Sequence, residues 1–247
     1  MQIAVITAMP EEFRAVEACL GAGTNLRLGC LRAKKFQFRS HDVLLVESGM
    51  GFDNAARAAG EIISEAAPDL LISAGFCGGI AAELRVGDVV VAKKMVIVSE
   101  NGIEILPVET PAAGLNLVAR QTVGGERVFG GTFAGTAVIT SKAKLTGMLS
   151  DYPCPVVEME SAAIALIAAE NKVPLIAIRS VSDPADEELG FSLDEFCDSS
   201  LRIRPGRVLM TILRKPRIIP QLIRLAGNSR IAAKSLTAAM DKLLPLL

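Results

Sequence analysis

The strongest constraint on the fold is a rhythm: short apolar runs rich in β-branched residues, separated by segments long enough for a helix. QIAVIT (residues 2–7), DVLLVE (42–47), LLISA (70–74), VGDVVVA (86–92), VVE (156–158) and LIAIRSV (175–181) are almost continuously apolar. Strict alternation would mark a half-exposed strand, whereas unbroken apolar runs mark strands covered on both faces. Residues 10–20, 54–66 and 161–171 read as helices. Pro10 suits a first helical turn, where its missing amide costs nothing, and Glu11 and Glu12 favour the positive end of the helix dipole. Further strands are expected at 35–39 and 136–140, with a glycine turn at 48–51, and the strand at 70–74 opens into a glycine cluster at 75–79. Strands alternating with helices predict an α/β protein: a three-layer fold with a central mixed, largely parallel twisted sheet flanked by helices. The 247 residues suit one large domain. They divide into a core over 1–200 and a basic, apolar helical extension over 201–247.

Composition narrows the function classes. Net charge is −1 with 51% hydrophobic residues, as expected of a packed globular protein and not of a general polyanion binder. The charge is uneven, because residues 202–240 carry nine basic residues and no acidic ones. Five cysteines, an odd number with no close pair, read as free thiols in a reducing, cytoplasmic compartment. The opening MQIAVITAMPEEF lacks the basic-then-apolar pattern of a secretory leader. No apolar run approaches the ~20 residues of a membrane span. The single histidine, His41, stands just before a buried strand and is read as a turn or strand-edge residue. Catalysis must then rest on carboxylates, Arg, Lys or backbone groups. No metal-ligand cluster is visible and no cofactor is called for. The first strand leads into Ala8-Met9-Pro10-Glu11 and not into a glycine-rich phosphate loop, which argues against a dinucleotide-dependent oxidoreductase.

Four features end a predicted strand or follow one closely: Glu11-Glu12, Gly75-Phe76-Cys77-Gly78-Gly79, Glu158-Met159-Glu160 and Ser182-Asp183. In a parallel sheet all four gather at one edge, where ligands bind. Carboxylates forced together in a partly dry pocket separate in pKa, which yields an acid and a base. Each feature also has a structural reading. Glu11 and Glu12 suit a helix start, the glycines suit a tight turn, and Asp183 suits a cap for a helix around Pro184-Ala185-Asp186. Glu158 and Glu160 sit between two apolar elements, where burial requires partners or a ligand. A structural salt bridge is the plain alternative.

ITAMPEEF, SAGFCGGIAAELRVGDVVVA, VVEMESAAIALIAAENKVPLIAIRSVSDPAD and FSLDEF resemble the purine and uridine phosphorylase family, most of all its bacterial methylthioadenosine/S-adenosylhomocysteine nucleosidases. The resemblance runs in order from residue 1 to about 200. It implies cleavage of the N-glycosidic bond of a purine nucleoside of the adenosine type. It also implies that Glu12 positions the attacking water, Asp183 protonates N7 of the base and Arg179 lies near the nucleophile. Glu160 would bind the ribose hydroxyls, with Met159 against the sugar. Met9, Phe76, Cys77, Gly78, Leu145, Glu158 and Ser182 complete the implied substrate-binding set, and a homo-oligomer is implied.

The nucleophile is water or phosphate. Hexameric purine phosphorylases of the family carry an Arg and a Ser in the segment matching Ser73 to Cys77. This chain has Ser73 and Phe76 there, so the phosphate-binding arginine is missing and hydrolysis is favoured. The nucleosidases usually carry Ser where Phe76 stands. The alternative is a phosphate-dependent purine nucleoside phosphorylase, with Arg57, Arg179 or a neighbouring subunit supplying the cation, acting on a lipid nucleoside such as adenosylhopane. At the base pocket Lys144 falls where nucleosidases have a stacking Phe, leaving Phe76 or Phe191 to stack the purine. The basic tail reads as packing on the core or a neighbouring subunit, as a lid, or as a peripheral contact with anionic lipid. It has no aromatic residues for stacking bases, so no nucleic-acid partner is expected. A non-catalytic nucleoside sensor would have no need of the acid Asp183.

Overall fold

The computed structural model describes residues 1–136, 142–185, 196, 208, 210–211 and 214–247. Its strands are β1 (Gln2–Thr7), β2 (Thr24–Leu28), β3 (Leu31–Phe38), β4 (His41–Glu47), β5 (Leu70–Gly79), β6 (Val89–Ser99), β7 (Gly102–Leu106), β8 (Thr122–Val123), β9 (Glu126–Thr136), β10 (Pro155–Glu158) and β11 (Leu175–Asp183). The helices are α1 (Pro10–Leu20), α2 (Phe52–Ala66), α3 (Ala112–Ala119), α4 (Lys142–Met148), α5 (Ser161–Glu170) and, after a short 3-10 turn, α6 (Ile219–Leu243).

The strands form one sheet in the order β10-β9-β6-β11-β5-β1-β4-β3-β2, with β7 beside β6 and β8 beside β9. Its middle, β4-β1-β5-β11, is parallel as the apolar runs predict. The hairpins β2–β3–β4, β6–β7 and β8–β9 add antiparallel pairs, as does β11 against β6. β10 also pairs antiparallel with the end of β5, Val157 opposite Gly78, so the β5-β11-β6-β9-β10 half closes on itself. Closure brings Glu158, at the tip of β10, over the carboxyl ends of β5 and β11.

Each face is covered. α2 and α5 bury Ala55, Ala59, Ile62, Ala162 and Ala165 against one side, and α1, α3 and α6 bury Phe13, Leu117, Leu236 and Met240 against the other. In α6 the buried positions Ala232, Leu236, Ala239, Met240 and Leu243 recur at helical spacing. The Thr237 hydroxyl ties that half of the helix to the carbonyl of Ala15 in α1, at 2.8 Å. The second half of the basic tail is thus built into the core.

Several local expectations need correction. The glycines at 75–79 are not a turn, because β5 runs through them to Gly79. The strand expected at 86–92 begins later, at Val89, since Gly87 has φ +93° and Asp88 turns the chain back onto Arg85. The strand expected at 136–140 lies N-terminal of that position, ending at Thr136, and residues 137–140 lie outside the described residues. Asp183 ends β11, and the helix expected around Pro184-Ala185-Asp186 runs from Asp186 on into residues outside those described.

Candidate active site

The site forms where β5, β10 and β11 end. β11 runs beside β5 with Arg179 opposite Gly75, Val181 opposite Cys77 and Asp183 opposite Gly78. The register slips between Val181 and Asp183, so Ser182 is the extra residue of a bulge. A bulge re-aims the side chains beside it, here at the end of a strand.

Glu12, in the first turn of α1, is 3% exposed. Its Oε2 accepts hydrogen bonds from the amides of Ala8 (2.8 Å) and Met9 (2.9 Å), and its Oε1 from Phe76 (2.7 Å). A Cβ on Gly75 would stand 2.6 Å from Oε1, so only glycine lets this carboxylate dock on β5. Burial raises the Glu12 carboxyl above its usual range, opposed by the charge of Arg179 and by the three amides.

Glu158, Arg179 and Glu160 form the centre. Arg179 is 2% exposed, and its Nη2 donates to Glu158 Oε2 at 2.8 Å and to Ser73 Oγ at 3.0 Å. The same Glu158 oxygen accepts from the amides of Glu160 (3.1 Å) and Ser161 (2.7 Å), anchoring the start of α5. Glu160 Oε2 lies 4.0 Å from Arg179 Nη2, and its Oε1 accepts from the amide of Gly51 at the start of α2 (2.8 Å). Burial, then the charge of Glu158, push the Glu160 carboxyl up to about 7, with Arg179 opposing and Glu12 adding to the rise. Burial pulls the Arg179 guanidinium down, but Glu158, Glu160 and Glu12 together hold it above its usual value, so it stays charged.

Asp183 marks the other end. Its Oδ1 accepts from Ser182 Oγ at 2.8 Å, and its Oδ2 lies 2.5 Å from Lys142 Nζ, at the first residue of α4. Glu12 docks at Phe76 and Asp183 sits beside Gly78, two residues further along β5. That spacing is roughly 7 Å, about the breadth of a sugar ring.

The structure therefore brings together Glu12, Glu158, Met159, Glu160, Arg179, Ser182 and Asp183, with the backbone of Phe76, Cys77 and Gly78. Met9 contributes its amide and lines an adjoining cavity of about 520 Å³ with Ser48, Met50, Asn54 and Arg57. Leu145 is not brought to the site: it is fully buried among Ile80, Val96, Val98, Ala134 and Leu149. The Phe76 ring lies in the core with Phe13, Val91 and Ile178, which leaves only its amide for the site. Phe191 lies outside the described residues, and Lys144 is exposed on α4. Burial raises the Cys77 thiol well above its usual value, so it is not poised as a nucleophile. Sequence reasoning missed Gly51 and Lys142 as site residues.

A family model described as phosphorylase superfamily matches residues 2–214. The chain is 30% identical over 232 residues to the 5′-methylthioadenosine/S-adenosylhomocysteine nucleosidase of Haemophilus influenzae, spanning 87% of this chain and 100% of that protein. The crystal structure of the nucleosidase of that name from Neisseria meningitidis, in complex with methylthio-immucillin-A, matches with a TM-score of 0.76 at 23% identity, covering 100% of this chain and 99% of that one. Futalosine hydrolase of Helicobacter pylori matches with a TM-score of 0.76 at 18% identity, covering 100% and 98%. These two structural matches are likenesses of fold.

Proposed function

The chain belongs to the phosphorylase superfamily, and from that premise we propose that it hydrolyses the N-glycosidic bond of an adenosine-type nucleoside, releasing the free base and a ribose derivative. One observation carries the reading: Glu12, Glu160 and Asp183, from three distant segments, converge at the ends of β5 and β11 with Arg179 among them. Cleavage passes through an oxocarbenium-like sugar, which nearby carboxylates stabilise. Glu160 accepts hydrogen bonds from two ribose hydroxyls and Met159 packs against the sugar. Glu12 orients the attacking water and takes its proton. Asp183 delivers a proton to N7 as the base departs, and Arg179 keeps Glu158 and Glu160 in register.

Water is favoured over phosphate by the state of the cations. Arg179 is bound to Glu158, Lys142 to Asp183, Arg57 to Glu61 and Arg32 to Glu47. Phosphate needs uncommitted donors. The relatives named above are themselves called nucleosidases and a hydrolase, and none of those names includes a lipid nucleoside. The test is release of free adenine from a panel of adenosine-type nucleosides, with and without phosphate. Equal rates in both are expected, and strict phosphate dependence overturns hydrolysis.

The Glu160 carboxyl gives a pH prediction. It must be ionised to accept from both hydroxyls, and its value in the free protein is raised to about 7. kcat/KM is therefore expected to fall about tenfold per unit below pH 7. Bound hydroxyls favour the charged form, so kcat falls only at lower pH. Glu160→Gln lowers kcat/KM and removes this limb. A wild-type profile flat from pH 5.5 to 8 rules the role out.

A homo-oligomer, a cytoplasmic location and a peripheral membrane contact extend the proposal. Four free cysteines among the described residues support a reducing compartment. Among the described residues no helix is long and apolar enough to cross a membrane. The first turns of α6 expose Ile219 (40%) and Ile223 (69%) near the basic Arg217 and Arg224, a mixture that suits anionic lipid. Cosedimentation with phosphatidylserine-containing liposomes at low salt is expected, and Ile223→Glu is expected to weaken it. Absence of wild-type binding removes the membrane contact.

A further inference from the structure

We propose that Lys142 is the proton source behind Asp183, so that the leaving base is protonated by an ammonium–carboxylate pair and not by a lone aspartic acid. The inference rests on the function proposed above and deepens it. Lys142 is the first residue of α4, and its side chain is only 12% exposed. A buried ammonium requires an anion and further acceptors, and both stand at one place. Lys142 Nζ lies 2.5 Å from Asp183 Oδ2 and donates to the backbone carbonyls of Asp183 (3.1 Å) and Pro184 (2.6 Å). Gly78 makes the approach possible, since a Cβ there would stand 2.9 Å from Asp183 Oδ2 and 3.3 Å from Lys142 Cε. All three donors of the ammonium are thus aimed at the segment that carries the acid, and Asp183 Oδ1 is separately fixed by Ser182.

An aspartate must hold a proton to give one to a purine, and Lys142 Nζ, 2.5 Å from Asp183 Oδ2, carries protons to supply it. As the C1′–N9 bond breaks, its electron pair moves into the base. The Lys142 ammonium passes a proton to Asp183, and Asp183, for that moment a neutral acid, passes it to N7, so that Asp183 is a carboxylate before and after the step and Lys142 is left as a neutral amine. Water bonds to C1′ and loses its proton through Glu12 to solvent, and Lys142 regains one from solvent. Lys142 acts through Asp183 and is a positioning residue that also supplies the proton.

The test compares an adenosine-type nucleoside with 4-nitrophenyl β-D-ribofuranoside, whose leaving group needs no proton. Lys142→Met is expected to lower kcat about 100-fold on the nucleoside and less than about threefold on the nitrophenyl riboside. Lys142→Arg keeps the charge and the contacts but does not release a proton, so it is expected to remain slow on the nucleoside. Equal losses on both substrates, no loss on the nucleoside, or full rescue by Arg each overturn the proposal. Wild-type protein that releases neither base nor nitrophenol counts against the underlying function. An active wild type with an unaffected Lys142→Met counts against the role of Lys142 alone.

Discussion

Asp183→Asn is expected to lower kcat on adenosine-type nucleosides by about 10³-fold while KM stays within about threefold. Asparagine has nearly the same shape and can still meet Ser182, which now bonds Asp183 Oδ1 at 2.8 Å. It cannot pass a proton to N7, and a general acid supplies roughly 10²- to 10⁴-fold. The ribose end of the site is unchanged, so ground-state binding persists and the loss falls on kcat. Single-turnover release of adenine measures it. Turnover within tenfold of wild type would remove Asp183 from the mechanism.

The second large effect is on stability. Arg179→Met leaves Glu158, Glu160 and Glu12 facing one another without the guanidinium, whose nearest contact is Glu158 at 2.8 Å. Breaking a buried pair from one side costs about 3–5 kcal/mol. For a protein of this size that is a fall in Tm of about 10 °C at pH 8. The deficit depends on pH in a definite direction. Arg179 lowers the carboxyls of Glu12 and Glu160 against burial, which raises them. Without it their folded values rise further. A carboxyl raised on folding favours the folded state most below its unfolded value and loses that advantage as pH climbs through the folded one. The Tm deficit is therefore expected to shrink at pH 5. Replacing both partners, Arg179→Met with Glu158→Gln, removes the stranded charge and is expected to recover most of the loss. A deficit under 2 °C, or one equal at both pH values, contradicts the buried-network account.

Legibility in the sequence followed how local each signal was. β1, β4, β10 and β11, and the helices α1, α2 and α5, were readable because an apolar run or an Ala-rich stretch declares itself without reference to a partner. β3 was read only in its second half, and β2, β8 and nearly all of β9 were not read, since these strands mix exposed polar residues with buried ones and owe their pairing to neighbours. The glycines of β5 misled for a related reason. Gly75 is there because a carboxylate from α1 docks against it, which has nothing to do with turning the chain. Leu145 was expected in the pocket, but its side chain is covered by Val96 and Val98 of β6, far from it in sequence, together with Ala134 of β9. In the site, Glu12, Glu158, Glu160, Arg179 and Asp183 stood out as charged residues beside apolar strands. Lys142 did not, because an exposed lysine and a buried one look alike in sequence.

The order of residues by itself determined that this chain forms a covered, parallel-centred sheet and that several acids lie near its strand ends. Burial of apolar runs is additive and local enough to be read one segment at a time. Only the tertiary structure decided which polar groups meet: Glu158 with Arg179, Glu160 with the amide of Gly51, and Asp183 with Lys142. The first two pairings depend on β10 folding back over β5, and burial beside Glu158 and Arg179 moves the proton affinity of Glu160, because an ionised group's energy is fixed by what stands within a few ångströms of it.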